Sequence, residues 1–258
     1  MRDGHDKITE VIRHHWDRRA NTFDDEVGHG LASEEQRRAW HDLLSRLAGS
    51  APRRVLDVGC GTGFLALRLA ELGHTVSGID LAQQMIDRAR DKAEHASLHI
   101  DFRVGNAAAL DSPDESYDLV VARHVIWNLP DPERGVSEWL RVLSPGGKLA
   151  LIEGKWADNE ALALSLTRPT SRLARAIRSG AARVLGKGDP NRRYHGIEAQ
   201  LPFSGGPSAE RLASFLQANG LVDVVVEPLM DPILWGEMPR FARYLVVGTR
   251  SLVTQPRS

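Results

Sequence analysis

At 258 residues, with a formal net charge of −1 and the single cysteine Cys60, the chain is long enough to bury a core without disulfides or metals. The near-neutral balance offers nucleic acid no electrostatic foothold, and a lone thiol excludes an internal disulfide and fits a reducing compartment. No run approaches the roughly 18 apolar residues of a membrane span, and the first residues, "MRDGHDKITEVIRHHWDRR", are too charged for a secretory signal, so a cytoplasmic protein with no membrane partner is expected.

In chain order, Ile8, Val11, Ile12 and Trp16 recur at helical spacing and predict a short amphipathic helix ahead of "NTFDDEVGHG". Ser33 with Gln36 reads as a capping box for a second helix that carries Trp40, Leu43, Leu44 and Leu47 inward and stops at Gly49. From Arg54 onward strands and helices alternate. "RVLDVG" predicts a buried strand, "FLALRLAEL" a helix closed by Gly73, "TVSGID" a second strand and "AQQMIDRARDKAE" a second helix. "LHIDFRVG", "YDLVVARH" and "KLALIEG" predict strands three to five. Before the last of these, Asp131 and Pro132 start a helix with Val136, Trp139, Leu140 and Leu143 on its buried face, and "SPGG" turns into strand five. Alternation then stops for about fifty residues, and resumes with a helix near Ala209, then "LVDVVVEP" and "RYLVVGTR" as strands. Such alternation implies a parallel sheet with right-handed crossovers.

The sharpest motif is "VLDVGCGTGF" at residues 55–64, a strand that ends in an acid and breaks into Gly59, Gly61 and Gly63. In an open parallel sheet, ligands collect at the carboxyl ends of the strands, and glycines there let a ligand approach the backbone closely. A dinucleotide loop spaces its glycines G-x-G-x-x-G so that pyrophosphate meets helix N–H groups. Here the spacing is G-x-G-x-G, and Asp57 would repel a phosphate. A carboxylate there suits a cation, with a Coulomb attraction on the order of a few kcal/mol at effective dielectric ~20. S-adenosylmethionine carries an ammonium and a sulfonium and no phosphate. Asp80, ending the second strand, can accept from both hydroxyls of a ribose and can equally cap the following helix.

These motifs, continued by "GNAAAL", "YDLVVARHVIWNLPDP" and "RVLSPGGKLALIE", resemble the class I S-adenosylmethionine-dependent methyltransferases over most of the chain. The resemblance implies a doubly wound, Rossmann-like, mostly parallel seven-stranded sheet. It divides the chain into an N-terminal helical cap (1–50), a cofactor-binding core (51–153), a helical substrate lid after strand five (154–207) and a C-terminal completion of the core (208–258). It implies that Asp57 and the backbone of Gly59, Gly61 and Gly63 hold the methionine end, and that Asp80 holds the ribose. By the same resemblance Asn106 and Ala107 edge the adenine, and Arg123 lies beside the methionine moiety. Two positions depart from the family pattern. Asn106 is an amide where an acid is common, and Phe23, in the capping element "WDRRANTFDD", stands where a tyrosine is common.

Methyl transfer to a neutral amine needs alignment and little more, whereas a hydroxyl acceptor needs a base. His124, directly after strand four, and His29 in the cap are the candidates, with a loop or core histidine as the alternative for each. Trp127, one helical turn beyond His124, is a pocket wall or a core residue, and Trp16 covers the pocket or fills its own helix's apolar face. Tyr194 and His195, in the insertion, are placed to reach a substrate. Glu153 ends strand five on the side of the site, or pairs with Lys155 or an arginine. The other histidines show no ligand spacing, so no metal is expected. Residues 161–188 carry Arg168, Arg172, Arg175, Arg178, Arg183 and Lys187 and no acid. These cations face water, select an anionic substrate, or join subunits of a homo-oligomer through the lid.

The expected function is transfer of a methyl group to nitrogen or oxygen of a small molecule, of the kind found in bacterial secondary metabolism and antibiotic biosynthesis. A nicotinamide-dependent oxidoreductase would account for the fold and Asp80, but not for Asp57 or the glycine spacing. A non-catalytic S-adenosylmethionine-binding protein would account for the loop without turnover.

Overall fold

The computed structural model describes residues 2–26, 28–156 and 197–252. Tyr194, His195 and the cationic stretch 161–188 lie outside the described residues.

Helices α1 (Arg2–Arg19) and α2 (Glu34–Ala48) precede β1 (Arg54–Val58), α3 (Phe64–Glu71), β2 (Thr75–Asp80), α4 (Gln83–His95), β3 (Asp101–Val104) and β4 (Tyr117–Arg123). The chain continues through α5 (Pro132–Val142), β5 (Leu143–Gly154), α6 (Ala209–Ala218), β6 (Leu221–Pro228), α7 (Pro232–Trp235) and β7 (Arg243–Arg250). The strands form one sheet in the order β3-β2-β1-β4-β5-β7-β6. Strands β1 to β5 pair in parallel, while β7 runs antiparallel between β5 and β6. The chain leaves β1 first toward β2 and then returns to its other side through β4. That reversal opens a crevice at the carboxyl ends of β1 and β4.

Strand periodicity explains the layers. Val55, Leu119, Val121, Ala150 and Ile152 pack against α2, α3 and α4, whereas Leu56, Val58, Val120, Ala122, Leu149 and Leu151 pack against α1, α5 and α6. Trp40 and Trp139 anchor the two sides, both fully buried. Each indole donates: Trp40 to the Leu234 carbonyl at 2.7 Å and Trp139 to that of Ala107 at 2.9 Å.

Local signals predicted most boundaries, and the departures have identifiable causes. Val11 is exposed, because Ile8 and Ile12, with Trp16, form the face of α1 that packs on the core. Strand β3 begins at Asp101, because residues 97 and 98 close α4: Ser97 N–H donates to Glu94 O and Leu98 N–H to Ala93 O, a Schellman end with a serine at φ 54°. The capping box of α2 is half formed. Ser33 Oγ accepts from Gln36 N–H, but the Gln36 amide serves Ala32 N–H and the Leu234 carbonyl, tying α2 to α7.

Candidate functional site

The loop after β1 turns through three left-handed glycines, at φ 64° for Gly59, 54° for Gly61 and 85° for Gly63. A Cβ at Gly59 would lie 2.5 Å from a Val125 methyl, and one at Gly61 would lie 3.7 Å from the Phe23 ring. Gly63 is packed from the other side by Phe102 and Ala89, so it closes the strand–helix junction and does not border the cavity. Asp57 is 1% exposed, and its carboxylate accepts from Ala66 N–H at 3.0 Å, capping α3 from within the sheet. Burial pushes this carboxyl up to about 8, with Asp80 adding to the effect and Ala66 N–H and Arg123 opposing it. Asp80 accepts from Gly61 N–H and from Ala82 N–H, both at 2.9 Å, so it fixes the glycine loop and the start of α4 together; burial pushes it up to about 6.

These groups line a cavity of about 270 Å³ at the crevice, and so do Asn106, Ala107, Arg123, His124, Trp127, Trp16, Phe23 and His29. Asn106 is exposed, with its carbonyl oxygen turned back onto Ala108 N–H at 2.9 Å. Ala107 is held in place by the Trp139 indole. The guanidinium of Arg123 sits over Phe64, Trp40 and Trp235 (4.2, 5.0 and 5.4 Å to the ring centres) and donates to the Gly28 carbonyl. Burial lowers it to about 9, with Arg243 contributing in the same direction, so it remains cationic at neutral pH.

The cap closes over the loop through an aromatic and ionic latch. Trp16 meets Phe23 edge-on at 5.7 Å, Phe23 lies against His29 at 4.3 Å, and Arg19 stacks on both Trp16 and Phe23. Asp24 accepts from Thr62 Oγ1 at 2.6 Å and from Lys92 Nζ at 2.8 Å, linking the cap to the glycine loop and to α4.

At the far end of β4, His124 has φ 60°, an uncommon backbone for a non-glycine residue. Its N–H donates to Ile152 O and its carbonyl accepts from the Trp127 indole at 2.8 Å. The His124 ring lies against Trp156 at 4.6 Å and Trp235 at 5.8 Å, with His29 at 6.3 Å. Glu153 is fully buried and takes the N–H groups of Val125 and Ile126 (2.8 and 3.0 Å). Its Oε2 is 3.8 Å from His124 Nδ1.

Among the groups at the cavity that escape a reading of the sequence are Trp156 and Arg243, with Trp235 behind them; the Arg243 guanidinium stacks on both indoles. The start and stop signals of α7 are present in "DPILWG", but nothing local says that its tryptophan returns to the carboxyl end of β4.

An acid-fronted glycine loop at the switch point, with a second acid ending β2, defines an α/β protein built for a nucleoside cofactor without pyrophosphate. The family model described as a methyltransferase domain matches residues 56–151. The demethylmenaquinone methyltransferase of Deinococcus radiodurans is 36% identical over 196 residues, covering 71% of this chain and 74% of that one. Among solved structures, the (4+2)-cyclase SpnF superposes with a TM-score of 0.65 at 18% identity, over 94% of this chain and 96% of that one. The magnesium protoporphyrin IX methyltransferase of Synechocystis PCC 6803, solved with S-adenosylhomocysteine, superposes with a TM-score of 0.60 at 16% identity, over 95% and 100%. The chain belongs to the class I S-adenosylmethionine-dependent methyltransferases.

The residues present fit that cofactor. The Asp57 carboxyl, held above its ordinary range by burial, is matched by a cation and would be opposed by a phosphate. The Asp24 latch carries a test of the cap. Asp24→Ala is expected to weaken S-adenosylhomocysteine binding roughly fivefold, the loss of a partly exposed charged hydrogen-bond pair. Calorimetry measures it, and unchanged affinity would show the cap to be a passive neighbour.

Proposed function

We propose that this chain methylates oxygen or nitrogen of a small molecule bound in the outer part of the cavity. Asp57, the Gly59 and Gly61 backbone and Asp80 hold the cofactor's methionine and ribose, Asn106 and Ala107 edge its adenine, and Arg123 braces the floor. When bound, S-adenosylmethionine supplies a methyl group on a cationic sulfur. The chain supplies alignment and exclusion of water. Trp16, Phe23 and Trp127 wall the pocket, and His124 takes the proton of a hydroxyl acceptor, with His29 beside it. Residues 1–50 act as cap, 51–153 as cofactor core, 154–207 as substrate lid bearing Tyr194 and His195, and 208–258 complete the core.

The observation that carries this reading is the buried Asp57 beside left-handed glycines at the end of β1. A small-molecule acceptor is favoured by the near-neutral charge, which argues against nucleic acid, and by the demethylmenaquinone of the Deinococcus relative. A natural-product acceptor in bacterial secondary metabolism is the form of this proposal that the resemblance suggests. The fold alone does not specify methyl transfer, since SpnF is named a cyclase.

Thermal denaturation tests the proposal. S-adenosylhomocysteine at a hundred times its dissociation constant is expected to raise Tm by about 5–10 °C, and NADH is expected to leave it unchanged. A shift with NADH alone would replace methyl transfer by hydride transfer.

A further inference from the structure

Glu153 stands at the boundary between the sheet and the site without bordering the cavity itself. One carboxyl oxygen is used twice by the backbone, accepting from Val125 and Ile126 N–H, the two residues that follow His124. The other is buried with no hydrogen-bond partner among the described residues and lies 3.8 Å from Nδ1 of the His124 ring. This carboxyl therefore holds the loop that carries His124 and lies within ion-pair distance of the imidazole itself. The ring has little room to turn away, since Trp156 meets it edge-on at 4.6 Å and Trp235 stacks on it at 5.8 Å.

A carboxyl whose only duty was to cap the loop would be satisfied by one oxygen. We propose that Glu153 is the positioning residue of His124: it holds the proton on Nδ1, turns Nε2 toward the cavity as an acceptor, and balances the imidazolium formed when the substrate hydroxyl gives up its proton. The proposal rests on the reading of His124 as base. The proton leaving the acceptor oxygen ends on Nε2 and is released to solvent after turnover. Throughout the cycle Nδ1 keeps its own proton, and the carboxylate stays ionised.

Burial pushes the Glu153 carboxyl up to about 8, with the Ile126 and Val125 N–H groups and Arg243 opposing. Under the proposal, the 3.8 Å approach of Glu153 Oε2 to Nδ1 couples the two groups. The other charged or titratable groups around them are Arg243 and Tyr244 of β7, Arg123 of β4 and His29 of the cap. With the pair's proton on the ring, the imidazolium faces the carboxylate as an ion pair, and the base-competent imidazole appears as the ring loses that proton. Methylation of a hydroxyl acceptor is then expected to rise with pH through the His124 midpoint.

Glu153→Gln separates positioning from capping, because the amide oxygen still accepts from Val125 and Ile126 while the charge is lost. The experiment follows 15N-labelled histidine signals against pH in protein saturated with S-adenosylhomocysteine, with His124 assigned from its loss in His124→Gln. In the wild type, the His124 midpoint is expected above the ordinary value of about 6.5. In Glu153→Gln it is expected to fall by roughly one pH unit, as removal of a nearby opposite charge requires, with S-adenosylhomocysteine affinity unchanged. An unmoved midpoint would overturn the proposal and leave Glu153 as a loop cap. Should Glu153→Gln not bind S-adenosylhomocysteine, Glu153→Asp, which withdraws the charge by one methylene, is compared instead. There too a midpoint at the wild-type value overturns it. If the wild type itself ignores S-adenosylhomocysteine, the assignment of the cofactor fails, while the same titrations in the free protein still decide whether Glu153 governs His124.

Discussion

Asp57→Asn is expected to weaken S-adenosylmethionine binding by about a hundredfold, the loss of one close charge attraction in a partly shielded site, while the fold survives. Survival follows from geometry: among the described residues the carboxylate accepts only from Ala66 N–H, at 3.0 Å, and an asparagine carbonyl can accept the same bond. Asp57→Ala would add the loss of a cap to the loss of charge, so asparagine is the cleaner probe. The pH dependence has a definite sign. In the free protein burial pushes Asp57 up to about 8, so at pH 6 the carboxyl is mostly protonated. A cationic ligand favours the ionised form, so binding below pH 8 expels a proton, and affinity rises with pH at up to about tenfold per unit before levelling off. Calorimetry in buffers of different ionisation enthalpy reads that proton directly. In Asp57→Asn the released proton and the slope should both disappear. A wild-type affinity that stays flat between pH 6 and 8 would mean that this carboxyl does not face the cationic end of the cofactor.

Gly59→Ala should damage both stability and the site. The residue has φ 64°, and its Cβ would stand 2.5 Å from Cγ2 and 3.2 Å from Cγ1 of Val125. A left-handed backbone costs roughly 1–2 kcal/mol for a residue with a Cβ, and overpacking costs about 1–3 kcal/mol more. Together they lower Tm by roughly 5–15 °C in a chain of this size. Val125 cannot step aside cheaply, because its N–H is held by buried Glu153 and it directly follows His124. The collision therefore pushes on the residue proposed as base, and turnover should fall further than stability does. Gly73→Ala is the control. That glycine also has a positive φ, 88°, but a Cβ there meets nothing within 4 Å among the described residues. Only the conformational cost should appear, the same roughly 1–2 kcal/mol. Equal losses in the two variants would show that packing of the glycine loop against the His124 loop is unimportant.

Much of this protein is written locally. Strand and helix periodicity, Ser33 and Asp131 as helix caps, and Gly49 and Gly73 as stops all act within a few residues, and each appears where the pattern puts it. Asp57 and Asp80 were legible as site candidates for the same reason: an acid at the end of a strand, followed by a loop, must lie at the carboxyl edge of a parallel sheet. Other features depend on what arrives from far along the chain. Nothing near residue 243 says that β7 inserts antiparallel beside β5, and nothing near residue 36 says that its amide will serve Leu234 instead of completing the capping box.

The sequence alone thus determined the class of fold, the family and the polarity of the cofactor loop, because these follow from spacing along a regular strand or helix. Only the tertiary structure decided that Glu153 turns to His124, that Trp156, Trp235 and Arg243 close around that ring, and that Asp24 latches the cap. Those contacts join segments brought together by burial of the two helical layers on the sheet. Burial recognises apolar area and shape, and leaves no periodic trace of which polar groups it will place side by side.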